Sequence, residues 1–365
     1  MKLLVMNSPC WLEKNNRIKN NKDLSIFEEN FTYMYYNFMK FGLVDEVLIL
    51  PRRQEHIEKE ESFKTDSGTL STIKKERFES LAKDGGNIIY CWLNWEDSKK
   101  YSSNNFIIVN PMMNNILHPN KLEEEHHHFA LLESPLMRNT LPHFLSNKWE
   151  ALPLFKYNYD FAHDKPSKDN KPYDIVMVSS LDSRKRVFSF LNLINEHSKK
   201  NNKKYKIVFC TWNPDKCSGN DKSENYLKIN NLLKDNKNIS LDFRFDTNIH
   251  ETRDAIESSK LFVSTSNFDN GPRAVFEAIQ SGIPVLTTQI GASSYVVSGF
   301  NGEVISEKNY NQIANYVDYL LEDNQNQSYF ERSLLFSNFF TPESFYPSIC
   351  KRIKTEFDKK YLHKD

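Results

Sequence analysis

Two open α/β lobes, each a parallel sheet with helices on both faces, form the fold class that this 365-residue chain predicts. Three observations lead there. Short β-branched runs alternate with helical stretches along the whole chain, the pattern of sheets wound by crossover helices. The length suits about two domains of roughly 100–200 residues. A polar stretch without period, Tyr157–Tyr173, carries Pro166 and Pro172 and interrupts the alternation near the middle. The expected organisation is therefore residues 1–156, a linker 157–173, residues 174–340, and a helix over 341–365 that packs back toward the first lobe.

The first lobe opens with the apolar strand Lys2–Met6, followed by a helix over Ile26–Phe41 that is dense in aromatics. Val44–Leu50 reads as a second strand closed by Pro51, and the charged residues 52–80 as an exposed helix and loop insertion. Asn87–Trp92, Phe106–Val109 and Phe129–Leu132 are further apolar runs. After the linker the alternation is cleaner. Strands are expected at Asp174–Ser179, Tyr205–Cys210 and Ile239–Phe245, with helices at Arg186–Ser198, Glu224–Lys234 and Glu251–Ser259. Leu261–Thr265, Pro272–Gln280, Pro284–Thr288 and Tyr310–Leu321 continue it. In the tail, Phe345, Ile349, Ile353 and Phe357 recur every four residues as one apolar helical stripe.

Composition narrows the classes of function. Hydrophobic residues make up 39% and aromatics 13%, which excludes wholesale disorder. Lys+Arg and Asp+Glu both number 48, so the chain lacks the basic excess that nucleic-acid binders show. No apolar run approaches the ~18 residues of a membrane span, and Met1–Met6 is too short for a signal peptide. The cysteines Cys10, Cys91, Cys210, Cys217 and Cys350 are scattered, which suits reduced thiols in a cytoplasmic protein. About 40 asparagines and many lysines make stretches such as Asn15–Asn21 and Asn201–Lys204 solvated loops rather than binding patches. Glycine is scarce, at 10 residues, yet Gly271, Gly282, Gly291, Gly299 and Gly302 fall together. A chain so sparing with glycine keeps it where backbone geometry or close ligand approach requires it.

That cluster surrounds Asn267-Phe268-Asp269-Asn270-Gly271-Pro272-Arg273-Ala274-Val275-Phe276-Glu277, which follows a buried strand and opens a helix. Asp269 or Asn270 can cap the helix, Gly271 frees the backbone, and Pro272 suits the first turn. The N–H groups at such a terminus attract an anion or an array of sugar hydroxyls. A structural reading stands beside this one, with Asp269 a plain cap and Glu277 paired to Arg273 at i,i+4.

Next come Ser281-Gly282-Ile283-Pro284-Val285, Gly291-Ala292-Ser293-Ser294 and Gly299-Phe300-Asn301-Gly302-Glu303-Val304-Ile305. With these, residues 261–305 resemble the donor-binding core of GT-B glycosyltransferases in the family 4 group. In that core an acidic residue, seven others and a Glu precede a small-Gly-x-Pro-Val run, a Gly turn and an Asn-Gly turn. Val178-Ser179-Ser180-Leu181-Asp182-Ser183-Arg184-Lys185 is similar to the loop of that group that ends in a phosphate-contacting lysine. The resemblance covers residues 173–322 well and the first 150 poorly. It implies two Rossmann-like domains facing each other across a cleft.

It also implies roles. Glu277 would bond the ribose hydroxyls, and Asp269 with the amides of Asn270 and Gly271 would hold donor-sugar hydroxyls and phosphate. Lys185 would neutralise the diphosphate leaving group, helped by Arg184. Ser180, Pro272 and Arg273 complete the donor-binding segment. Catalysis would fall to Lys185, Asp269 and Glu277, with no metal and no cofactor beyond the nucleotide-diphosphate sugar itself. The outcome implied is retaining transfer to a hydroxyl of a glycan or lipid-linked glycan, at the inner face of the membrane. Lys351, Arg352 and Lys354 on the tail helix are the one suggestion of peripheral membrane contact.

Three departures from the family pattern stand out. Ser180 replaces the usual Arg ahead of the lysine, Asp269 is shorter than the common Glu, and Asn7-Ser8-Pro9-Cys10-Trp11 replaces a Gly-rich turn. The departures at Ser180 and Asp269 motivate one alternative, a non-catalytic nucleotide-sugar-binding or scaffold protein; a DNA-modifying glycosyltransferase, which shares the architecture, is the other. Glu123–Glu125 with His126–His128 reads as a solvated charged turn in preference to a metal site. His118, Glu133 and His143 read as structural polar residues before acceptor contacts, and Trp92 and Trp95 as core. Lys185 reads as a loop lysine with little packing.

Overall fold

The computed structural model describes residues 1–8, 30–51, 60–91, 95–110, 122–153, 171–213, 220–269 and 272–362. Two compact units result: Met1–Asn158 together with Pro342–Asp365, and Tyr159–Thr341.

The first unit holds β1 (Lys2–Ser8), α1 (Asn30–Lys40), β2 (Glu46–Pro51), β3 (Glu61–Lys64), β4 (Thr69–Thr72), α2 (Lys75–Asp84), β5 (Ile88–Cys91), β6 (Phe106–Val109), β7 (Phe129–Leu132) and β8 (Trp149–Ala151). Its sheet runs β3-β4-β2-β1-β5-β6-β7-β8. Among the described residues, only the β3–β4 pairing is antiparallel. Leu3–Met6, Val47–Leu50, Ile88–Cys91 and Phe106–Val109 are buried throughout, because helices covering both faces of a parallel sheet leave no side for water.

The charged region 52–80 corrects its sequence reading. Residues 52–59 lie outside the described ones, but a hairpin follows. Strand β3 is a half-exposed edge, whereas Leu70–Ile73 are buried beside β2. Charges on Glu61 and Lys64 suit an edge strand that must not pair further.

The second unit holds β9 (Tyr173–Val178), α3 (Val187–Asn201), β10 (Tyr205–Thr211), α4 (Asn220–Leu233), β11 (Ile239–Phe245), α5 (Ile249–Glu257), β12 (Ser259–Ser264), α6 (Arg273–Gln280), β13 (Val285–Thr288), β14 (Gly302–Ile305), α7 (Ile313–Leu321) and α8 (Asp323–Ser337). Its six strands run β11-β10-β9-β12-β13-β14, all parallel. Strand order reverses between β9 and β12, so the loops after these two strands lie side by side at the carboxyl edge. Ile175, Phe190, Ile207, Leu261, Val263 and Ile313 anchor the core beneath them. Gly302 has no substitute here: a Cβ would lie 2.0 Å from the Val285 carbonyl oxygen.

Helix α9 (Pro342–Leu362) belongs to the first unit, not to the one it follows in sequence. Tyr346 stacks on Phe41 at 5.8 Å and meets Phe38 edge-on at 5.6 Å. At its far end Lys360 Nζ lies 2.7 Å from the Asn105 carbonyl and 2.8 Å from His128 Nε2. The buried stripe is Tyr346, Ile349, Cys350 and Ile353, and Phe345 is only half-buried. A strict four-residue step turns about 40° too far each time on a 3.6-residue helix, which moves Phe345 off the stripe. Of the expected linker, only Lys171–Tyr173 fall among the described residues. The Lys171 amine donates to the Glu257 and Ser259 carbonyls and lies over the Phe330 ring, tying the entry of β9 to its own unit.

Candidate functional site

The loop after β9 turns as Ser183–Lys185, a short 3-10 helix, and ends at Arg186 in the left-handed region, with φ of 52°. Helix α3 starts there, so Arg184, Lys185 and Arg186 leave the backbone in different directions. Two bonds fasten this loop to the neighbouring one after β12. The Asn267 N–H donates to the Arg184 carbonyl at 2.9 Å, and Thr265 Oγ1 donates to the Lys185 carbonyl at 2.8 Å. Thr288, at the end of β13, donates to the Ser266 carbonyl, and the Gly291 N–H donates to the Asp269 carbonyl at 2.9 Å. Three adjacent strand ends thus hold one constellation.

At its centre Lys185 donates to Asp269 Oδ2. Their side chains are 11% and 13% exposed. Arg184 Nη1 lies 3.4 Å from the same Oδ2 and 3.4 Å from the Phe268 carbonyl. Arg184 Nη2 lies 3.4 Å from Asp182 Oδ2, which also accepts from Ser180 Oγ at 2.5 Å. Arg186 goes elsewhere: it donates to Glu307 at 2.8 Å and covers the Tyr310 ring at 4.9 Å. Burial pushes the Tyr310 hydroxyl up to about 12, so that ring stays neutral beneath the guanidinium.

Several sequence expectations change here. Asp269 is not a helix cap, because its carboxylate is spent on Lys185 and Arg184. Pro272 occupies the cap position of α6, with no side-chain cap bond. Asn270 and Gly271 lie outside the described residues. Lys185 is an ion-paired, largely covered side chain, not a solvated one. Arg273 is exposed at the start of α6, while Glu277 is 4% exposed one turn further in. Asp182 was missed. Its signal was present in the same Ser180-to-Lys185 run: an acid two positions from both a hydroxyl and a guanidinium.

In the first unit, Glu123–Glu125 are exposed, yet His127 is buried and its Nδ1 accepts the Glu123 N–H at 2.9 Å, so only the glutamates fit a solvated turn. Among the described residues no group of three His, Cys, Asp or Glu side chains could hold a metal ion. Glu133 is buried and His143 exposed; His118 and Trp92 lie outside the described residues, as does the Trp95 side chain. No helix among the described residues is long and apolar enough to cross a membrane.

A site of this shape, with two cations beside a carboxylate, a buried glutamate on the next helix, and strand carboxyl ends on either side, can take an anion together with hydroxyl groups. Residues 158–333 match the family described as Glycosyl transferases group 1. No curated protein sequence matches the chain. Among solved structures, the chain is similar to OtsA in its apo form, at 11% identity and a TM-score of 0.66, over 98% of each chain. It is similar to the Anabaena protein HepE in complex with UDP and glucose, at 12% identity and a TM-score of 0.61, covering 97% of this chain and 98% of that one. Similarity to TarM of S. aureus is at 18% identity and a TM-score of 0.58, over 78% of this chain and only 57% of TarM. At these identities the likeness is one of fold, the two-unit GT-B architecture.

Proposed function

The chain carries a glycosyl transferases group 1 domain over residues 158–333 and is a glycosyltransferase of the GT-B fold; from that premise we propose that it moves a sugar from a nucleotide-diphosphate donor to an acceptor hydroxyl with retention. The observation that carries the proposal is the convergence of Lys185, Arg184 and Asp269 at the β9/β12 switch point. Breaking the anomeric C–O bond puts negative charge on the departing diphosphate, and fixed cations there lower the barrier. Lys185 and Arg184 supply two such charges, Glu277 would bond the ribose, and Asp269 the sugar hydroxyls.

Arg184 also answers the departure at Ser180. The guanidinium that this position lacks is offered from four residues later, held by Asp182. That weakens the motive for a non-catalytic scaffold. Zero net charge gives no support to DNA as acceptor, so a glycan or lipid-linked glycan hydroxyl is the proposed acceptor. Transfer is proposed to need no divalent metal.

One experiment tests the whole reading. Thermal unfolding is followed with a panel of nucleoside diphosphates in buffer containing chelator, and transfer from the matching nucleotide sugars is assayed in the same buffer. A diphosphate at a hundredfold excess over Kd adds about 2.7 kcal/mol of stability. The wild type is expected to gain this and Glu277→Ala much less. An unchanged melting temperature across the panel removes the donor site. Activity restored only by added magnesium or manganese removes metal independence, and an inverted anomer in the product removes retention.

A further inference from the structure

Within the site, two groups with separate duties neutralise each other. The cation assigned to the diphosphate, Lys185, donates to Asp269, and Arg184 approaches the same oxygen at 3.4 Å. The Gly291 N–H bonds the Asp269 backbone carbonyl and fixes the main chain there, within reach of the cations that its carboxylate meets. Both side chains are largely covered, and water therefore screens the pair weakly.

A carboxylate and a diphosphate are both acceptor-only anions. They compete for the same N–H groups, and they repel each other if both stay. We infer that Asp269 is an internal competitor for the diphosphate. Donor binding draws Lys185 and Arg184 off the carboxylate, and only then is Asp269 free to accept bonds from the donor sugar. The inference rests on the donor-site reading above and adds an order to it: phosphate recognition first, sugar recognition conditional on it. It also gives the shorter Asp at this position a purpose, since its carboxylate meets the lysine from the neighbouring loop. After transfer, the same carboxylate re-pairs with the cations and helps expel the nucleoside diphosphate.

The test is calorimetric titration at low ionic strength with uridine diphosphate, and with inorganic pyrophosphate as a probe that has no base. Asp269→Asn keeps the shape and removes the charge. It is expected to bind both probes at least tenfold more tightly than wild type while losing transfer activity. Glu307→Gln removes a carboxylate that pairs with Arg186 and not with Lys185 or Arg184, and is expected to change affinity less than threefold. In a Lys185→Met background, Asp269→Asn is expected to gain less than threefold, because only the longer Arg184 contact, at 3.4 Å, is left to contest. If Asn is not tolerated, Asp269→Ser carries the same expectation. Unchanged or weaker binding by the position-269 variants overturns the inference, as does an equal gain from Glu307→Gln or a gain that survives loss of Lys185. A wild type that binds neither probe ends the donor-site reading and the inference with it. A wild type that binds, with no gain in Asp269→Asn, ends the inference alone.

Discussion

Lys185 donates to Asp269 with little of either side chain in water, so replacing it has two separable effects. On the proposed function, the catalytic effect is loss of a preorganised charge that would interact most strongly with the departing diphosphate. Such an interaction appears in kcat, whereas uniform binding appears mainly in KM. Lys185→Ala is expected to lower kcat at least tenfold, toward the roughly 10²–10³ typical of one lost charge-stabilising group. The structural effect is a carboxylate left with Arg184 alone, at a cost of about 1–3 kcal/mol of stability. Steady-state kinetics and thermal unfolding read the two independently. The neighbouring arginines should split. Arg184→Ala is expected to impair donor use severalfold, and Arg186→Ala to leave it within twofold, because Arg186 is engaged with Glu307 and Tyr310. Equal kinetic effects from both arginines, or normal kcat in a folded Lys185→Ala protein, would contradict this assignment. The resemblance to the family's two loops selected Lys185, Asp269 and Glu277. It could not say where three consecutive long cations go, because the left-handed turn at Arg186 and the partners offered by other loops decide that.

At the scale of elements, the alternation from β9 to β13 was legible because most of these strands are short apolar runs bounded by polar turns, whereas β14, reading Gly-Glu-Val-Ile, was not expected; all six pair in parallel. The β3–β4 hairpin was not legible. Its outer strand carries Glu61 and Lys64, and its inner strand reads Thr-Leu-Ser-Thr, so neither advertises burial; only pairing to β2 covers Leu70. The His126–His128 run hid a second feature. His128, at the start of β7, accepts the Ile107 N–H on Nδ1 at 2.9 Å, stacks on Phe106 and faces Lys360 of α9. Burial, then the charge of Lys360, with His127, Lys148 and His126 adding to it, pushes its pKa down to about 3. The ordinary value is 6.5, so as pH falls the unfolded chain takes up this proton first. Stability from this group is complete above about 6.5 and is lost progressively toward 3. Between pH 7 and pH 5 the loss is about 2 kcal/mol. His128→Asn keeps an acceptor near the Nδ1 position and cannot titrate. Its unfolding free energy is expected to fall less than that of wild type over this interval, by about that amount, in denaturant titrations at both pH values. Parallel pH profiles would show that His128 is not held neutral.

For the molecule as a whole, the chain order and the spatial order part company at Thr341. The second unit ends there with its own sheet and core, and α9 then returns to the first. Burying Tyr346, Ile349, Cys350 and Ile353 contributes about 1.5–3 kcal/mol for each large side chain. Together that is comparable to the whole 5–15 kcal/mol by which a domain is ordinarily stable. Removal of residues 342–365 also frees Phe38 and Phe41 of their aromatic partner, and Lys40 of Glu343. A chain ending at Thr341 is therefore expected to lose the fold of the unit farthest from the cut in sequence. The adjacent unit should keep its fold and its affinity for a nucleoside diphosphate, because Lys185, Arg184, Asp269 and Glu277 all lie within Tyr159–Thr341. Limited proteolysis with fragment identification, alongside diphosphate titration of the truncated chain, checks both halves of this expectation. Rapid cleavage within residues 1–158 with diphosphate binding intact is the expected pattern. A protected first unit would mean that α9 is dispensable to its core, and loss of diphosphate binding would mean that the second unit does not stand alone.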